Sequence, residues 1–543
     1  MLDLVLRNAI VVDGTGRPRF RADIGIKNGV IAAVENLPDA ESEASLDVSG
    51  MCVSPGFVDM HSHSDLSLLA HRKGEGALSQ GITTEVVGNC GWSMAPVKEE
   101  TKNSVLRHLL SGLVHRCVFE RIDWTWHSLG EFMDKMDKTG IGTNVAPQVG
   151  QSLLRAHVVG TEKREATPGE IEAMKCMLRE AMEAGAWGMS TGRSYVPGRF
   201  APTSEITELA RVVNEYDGIY ATHMKNEGDA LFESVDEVIS IVAKTGVRAE
   251  ISHHKVLAKR NFGKVARSLE MIQEARQRGL RITVDVYPYE FSQASSMMGF
   301  LPPEALRRIH GGGKRVSLVD ERDVETIRRR LGQNDVVAEV KELPDIGAFT
   351  KRIVDSVIVR APSFPDAEGR ILGEYAKELK ADVIDVFAHL VHADGLGVWS
   401  ASAISMDDVR TIIKACFSMP GTDGFTLDDP IDPTPIHPRH HGTFPRVIGR
   451  FVREGVLTLE EAVRKSTLLP AITMGFRDRG QILPGYWADL VVFDPDVLED
   501  TATATQPYLR AKGIHYVLVN GKVAFENGCV KPVFAGRVLR KKT

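Results

Sequence analysis

Eight apolar, strand-like runs separated by helical stretches restrict this chain more than any other feature: 57–60, 83–90, 142–149, 188–191, 218–223, 247–253, 281–287 and 415–421. Strand–helix alternation is the pattern of a parallel α/β protein, and eight such units are the number that closes a (β/α)8 barrel. One intervening helix is marked at both ends. Thr167 is its N-cap, Pro168 lies in the first turn, Glu170 completes a capping box and Gly185 terminates it. Ile171, Met174, Leu178, Ala181 and Met182 recur between them at helical spacing, so these methionines read as core filling. Residues 300–400 break the alternation. They carry Gly311-Gly312-Gly313, a charged helix over 320–331 and two or three strand-like runs. This stretch reads as a subdomain inserted between the seventh and eighth strands, placed to act as a lid.

Both ends of the chain have a different texture. Residues 2–50 are short strands broken at Asp13-Gly14, Asn28-Gly29 and Ser49-Gly50, and strand-like 489–494 and 515–523 follow turns at Pro484-Gly485 and Asn520-Gly521. The expected organisation is one small β-sandwich domain from 1–54 plus 470–543, a catalytic barrel over 55–469, and the 300–400 insertion within it. Hydrophobic residues are 43% and charged ones 25%, ample for a globular core. With a net charge of −6, nothing favours a nucleic-acid or membrane partner. Six scattered cysteines without CxxC spacing suit a reducing compartment, and no apolar run is long enough for a bilayer. The expectation is a cytoplasmic enzyme; a homo-oligomer is compatible with this composition.

In a barrel enzyme the chemistry comes from the C-terminal ends of the strands. Those ends carry His61 and His63, Cys90, His223, His253-His254, Tyr287 and Asp423. Singly, each has a bland reading: Cys90 as a buried thiol, His223 as a core histidine, Asp423-Gly424 as a turn. Together they are a metal-ligand set. Imidazole, thiolate and carboxylate in one site suit zinc better than the all-oxygen shells of magnesium or calcium. Strand parity leaves both His253 and His254 open, because each shares a face with part of its strand.

The segments 55–63, 81–91, 190–195, 221–227, 252–255, 285–289 and 437–446, with the terminal motif 480–491, resemble N-acyl-D-amino-acid deacylases (D-aminoacylases) of the amidohydrolase superfamily. The resemblance covers nearly the whole chain. It implies that Cys90, His223 and His253 hold a tightly bound Zn2+, with Cys90 standing where other superfamily members use a carbamylated lysine. His61, His63 and Asp423 would line a second, weaker metal position. Tyr195, Lys255, Tyr287, Ser292 and Arg439 would grip the substrate, with Lys255 or Arg439 facing its α-carboxylate. The implied reaction is hydrolysis of the amide of a small-molecule N-acyl-D-amino acid by metal-activated water. Asp423 would serve as general base and acid, and Tyr195 would help polarise the acyl carbonyl. The chain departs from the family in two places. One is the acidic, proline-rich 428–435; the other is Glu290-Phe291, where small residues are usual.

Two other readings compete. A hydantoinase-like cyclic-amide hydrolase would carry a lysine where this chain has Cys90. A barrel kept as a binding module would have lost ligands, and this chain keeps every candidate.

Overall fold

The computed structural model describes residues 1–100, 121–311, 316, 320–344, 346–427 and 436–542. Cys117, Gly312, Gly313 and the acidic stretch 428–435 lie outside the described residues.

Strands form at all eight expected places: Phe57–Asp59, Ile82–Val87, Asn144–Pro147 continued by Val149–Gly150, Gly188–Gly192, Ile219–His223, Arg248–Ile251, Ile282–Val286 and Ser418–Pro420. Every pairing among them is parallel. The first three make one sheet, and Val149–Gly150 begins the second, which runs in order to the eighth strand. Past the strand ends, His61 accepts from the Asp423 N–H at 2.7 Å and His63 donates to the Gly424 carbonyl at 2.6 Å. The pairing thus returns from the eighth strand to the first. Nearly all these strand residues are buried, as expected for parallel strands with helices on their outer face.

The helices follow local sequence rules. Pro168–Glu183 starts at Thr167, whose hydroxyl accepts from the Glu170 N–H while Glu170 accepts from the Thr167 N–H at 2.8 Å. Such a cap is worth about 1 kcal/mol. Met174, Leu178, Ala181 and Met182 are buried, so the methionines fill the core.

Both termini meet in a nine-stranded sheet. Cys52–Pro55 pairs antiparallel with Leu490–Phe493 and parallel with Leu2–Val11. The hairpin between Ile514–Val519 and Lys522–Glu526 turns on Asn520 and Gly521, at φ 48° and 81°. Two consecutive positive φ values call for this dipeptide.

The segment between the seventh and eighth strands has a core of its own, including Met297, Leu301, Ile327, Phe349, Phe387 and Val391. It is mostly helical, with Ser356–Arg360 and Trp399–Ser402 as its longer strands. Its two ends are pinned together: Phe291 bridges Ala403, and the Ile404 N–H donates to the Glu290 carbonyl at 2.8 Å. No described helix is long and apolar enough to cross a membrane.

Candidate active site

The second and sixth strands end well before their apolar runs do, and the difference positions the polar groups. The second strand stops at Val87 and the sixth at Ile251. Cys90, His253 and Asp423 all sit just past a strand at positive φ, 54°, 37° and 46°. Left-handed backbone at three non-glycine residues is sterically costly and concentrates at functional sites. Close packing around Cys90 enforces its turn: a Cβ on Gly91 would stand 2.5 Å from the Gly192 backbone nitrogen. The Asn89 amide donates to the Val86 carbonyl at 2.9 Å and so fixes the turn from within. On the opposite side, the Asp59 carboxylate accepts from the backbone N–H of His61 at 3.1 Å and of Thr422 at 2.9 Å, joining the first and eighth strand ends.

These turns bring the candidate ligands to one point. Cys90 Sγ lies 3.4 Å from His61 Nε2, 3.5 Å from His253 Nε2 and 3.9 Å from His223 Nδ1. Asp423 Oδ1 lies 3.2 Å from His63 Nε2 and 3.5 Å from His61 Nε2. Ligand atoms of His61, Cys90, His253 and Asp423 all fall within 4.8 Å of one another. Tetrahedral zinc with ordinary bond lengths sets its sulfur and nitrogen ligands about 3.5 Å apart. Both the spacing and the donor set therefore fit zinc.

Electrostatics agree with that fit. Burial opposes ionisation of the Cys90 thiol, but His61 and His253 outweigh it and hold the thiol well below its ordinary range. Burial also disfavours the Asp423 carboxylate, yet Arg439 and His253 hold it low. His63 is pushed up to about 9: against burial, its hydrogen bonds with Asp423 and Cys90 prevail. The site is thus a thiolate and a carboxylate beside the imidazoles of His61, His63 and His253, which hold their protons more tightly than usual. A divalent cation would take the place of those protons.

Two carboxylates behind the candidate ligands are not apparent from strand ends alone. Asp285 Oδ2 meets His61 Nδ1 at 3.0 Å, and Glu227 Oε1 meets His253 Nδ1 at 2.9 Å. Such partners orient a ligand imidazole and fix its tautomer. Glu227 does leave a trace in the sequence, four residues after His223.

The remaining expected residues divide. Arg439 Nη1 pairs with Asp423 Oδ2 at 2.8 Å, and its guanidinium lies 4.6 Å from the centre of the Tyr287 ring. Lys255 Nζ, 5.6 Å from the same ring, donates to Glu227 at 2.7 Å. Tyr195 keeps 37% of its surface exposed and sets its hydroxyl 3.3 Å from His223 Nδ1. Ser292 faces the insertion instead, where its hydroxyl accepts from the Ser402 N–H at 3.1 Å. His254 turns to the helix layer and meets the Ser268 hydroxyl at 2.8 Å, which leaves His253 in the cluster. Of the two unusual residues, Glu290 is exposed, whereas the Phe291 ring lies 4.3 Å from that of His437.

Comparison with known proteins places this constellation. The amidohydrolase family profile matches residues 45–320 and 375–525, and the chain belongs to that family, in its N-acyl-D-amino-acid deacylase branch. Within it, the chain is 37% identical to D-aminoacylase of Alcaligenes xylosoxydans xylosoxydans, over 99% of this chain and 98% of that one. It is 35% identical to N-acyl-D-glutamate deacylase of the same organism, over 99% and 97%. Among solved structures, it superposes on N-acyl-D-glutamate deacylase of Bordetella bronchiseptica with a TM-score of 0.77 and 33% identity, over 99% of both chains. That protein was solved with zinc and a phosphonate inhibitor that mimics the tetrahedral intermediate. The expected membership of the deacylase family is borne out.

Proposed function

We propose that this chain is a zinc-dependent hydrolase that cleaves N-acyl-D-amino acids into a carboxylate and a free D-amino acid. The observation that carries the reading is the convergence of His61, Cys90, His253 and Asp423 within 4.8 Å. The eight parallel strands and their helices are read as one closed barrel over 55–469, with 1–54 plus 470–543 as the small β-sandwich domain and 300–400 as an inserted lid. Cys90, His223 and His253 would hold the tight Zn2+, and His61, His63 and Asp423 a weaker second metal position. The scattered cysteines without CxxC spacing support a reducing, cytoplasmic compartment for this reading.

When bound, zinc supplies a Lewis acid that polarises the acyl carbonyl and acidifies water. Asp423 accepts the proton of the attacking water at its carboxylate and returns it to the departing amide nitrogen. Arg439 and His253 hold that carboxylate ionised against burial, which leaves its oxygens as acceptors. The Tyr195 hydroxyl reaches the same volume through His223 and donates to the carbonyl oxygen as negative charge develops there. Arg439 offers the planar fork that fits the substrate α-carboxylate, with Tyr287 under its face. Its buried Nε has no hydrogen-bond partner among the described residues, and a carboxylate would supply one. Lys255 adds a second positive charge, and Ser292 lines the approach from the insertion.

Paired N-acetyl-D- and N-acetyl-L-amino acids, assayed with metal content measured alongside, test this reading. Bound zinc with hydrolysis confined to the D series is the expected result. A zinc-loaded protein that leaves the D series intact, or that opens cyclic amides instead, refutes it.

A further inference from the structure

Lys255 and Glu227 are both buried, and both reach the same ring nitrogen. His253 Nδ1 lies 2.9 Å from Glu227 Oε1 and 2.8 Å from Lys255 Nζ. It cannot serve both. If Nδ1 carries the proton, it donates to Glu227 and leaves the Nε2 lone pair free. If Lys255 donates to Nδ1, the ring proton moves to Nε2, the atom that faces Cys90 Sγ at 3.5 Å. Only the first tautomer can bind a metal through Nε2.

The surrounding geometry favours the first. Lys255 has two other acceptors, Glu227 Oε1 at 2.7 Å and the His253 carbonyl oxygen at 3.0 Å, so it does not need the ring nitrogen. Glu227, as a carboxylate, only accepts, and its Oε1 is positioned to take one proton from each neighbour. Its other oxygen, Oε2, lies 3.9 Å from His223 Nε2, so the same carboxylate also faces a second candidate ligand.

We infer that Glu227 is a positioning residue that fixes the metal-binding tautomer of His253 and, through the same oxygen, holds Lys255 in place beside Tyr287. The inference rests on the zinc reading above. Its consequence is that one carboxylate serves two jobs, metal affinity through His253 and substrate grip through Lys255. Replacing Lys255 should disturb only the second.

The test is zinc titration of metal-free protein against a competing chelator, for wild type, E227A, E227Q and K255M, with thermal unfolding and steady-state kinetics on an N-acetyl-D-amino acid. E227A should bind zinc about 10–100-fold more weakly, the usual cost of losing such a partner. E227Q should fall between E227A and wild type, because it keeps an acceptor oxygen and loses the charge. K255M should keep zinc affinity within about threefold of wild type and raise KM instead, as expected of a residue off the ligand path. If E227A does not fold, E227Q decides. Wild-type zinc affinity in the glutamate variants, or an equal loss in K255M, overturns the inference. A wild-type protein that takes up no zinc overturns the functional reading itself.

Discussion

The strand-end cluster and the inserted unit between the seventh and eighth strands are held together by opposite means. Around the cluster, charged groups are buried and shared: Glu227 serves Lys255 and His253, and Asp423 serves Arg439, His63 and His61. In the insertion the interior is apolar, with Ile327, Phe349, Phe387 and Val391 buried. Its ion pairs lie outside, such as Glu325 with Arg328 at 2.8 Å and Lys341 with Asp385 at 2.6 Å. Exposed pairs contribute roughly 0–1 kcal/mol each. Breaking a buried network strands a charge and costs far more. Stability in the insertion is therefore spread over many contacts. At the cluster it is concentrated in a few buried charged groups that share partners. Among the described residues, every group able to hold a metal includes His61, His223 or His253, and none lies in the insertion.

The largest effect should come from Cys90. C90A removes the sulfur that lies within 3.9 Å of three imidazoles, so zinc content and activity should both fall to background while the chain stays folded. Elemental analysis beside circular dichroism checks it. A fully loaded C90A would mean that the thiol is a bystander. Next, D423N should keep most of the metal and lose about 10²–10⁴-fold in kcat, the range for removing a general base. Near-normal turnover would show that the proton goes elsewhere.

R439M should act mainly on KM. A hydrogen bond to a charged group contributes about 1.5–3 kcal/mol, which corresponds to roughly 10–150-fold. The increase should appear for acyl-amino acids and be much smaller for a neutral amide of the same acyl group. Equal effects on both would place Arg439 with Asp423 rather than with the substrate. For the other region, F387A should cost the insertion about 3–5 kcal/mol and leave zinc content unchanged. Hydrogen exchange would report the loss within the insertion alone. If zinc affinity dropped with it, the two regions would not be separable.

Much of this was legible in the sequence, for definite reasons. Parallel strands buried on both faces read as apolar runs, which is why the eight runs map onto strands and the two ends of the chain onto one sheet. The candidate ligands at strand ends share that legibility: His61, Cys90, His223 and Asp423 stand where the runs stop, and the structure brings their side chains near one another. Supporting groups do not. Asp285 lies 224 residues from the ring it orients, and no local pattern pairs them. Arg439 has Asp423 as its partner, and no local spacing rule pairs the two. Ser292 enters through the family resemblance alone, and no local pattern foretells that its hydroxyl accepts from the Ser402 N–H at the far end of the insertion. His253 and His254 show the limit most clearly. Alternation fails where the strand ends at Ile251, and the positive φ at His253 sets which ring points inward.

That pair also yields the smallest expected effect on turnover. His254 is fully buried against the helix layer, and burial pushes it down to about 4 from an ordinary value near 6.5. Its ring is neutral in the folded protein at neutral pH and shares a hydrogen bond with Ser268. H254A should therefore leave zinc content and kcat near wild type while lowering stability by about 1–3 kcal/mol for the lost packing and the lost hydrogen bond, the Ser268 hydroxyl keeping the Val265 carbonyl as its partner. The pH dependence separates this role from a ligand's. Between pH 6.5 and 4 the unfolded chain takes up a proton that folded His254 refuses, so stability rises with pH across that window. At about 1.4 kcal/mol per pH unit, the wild type should lose roughly 3 kcal/mol through this group on acidification, and H254A should lack that part of the slope. Denaturant midpoints at pH 7 and pH 4.5 measure it. An H254A protein that keeps the full slope, or that loses its zinc, would move His254 from the helix layer into the cluster.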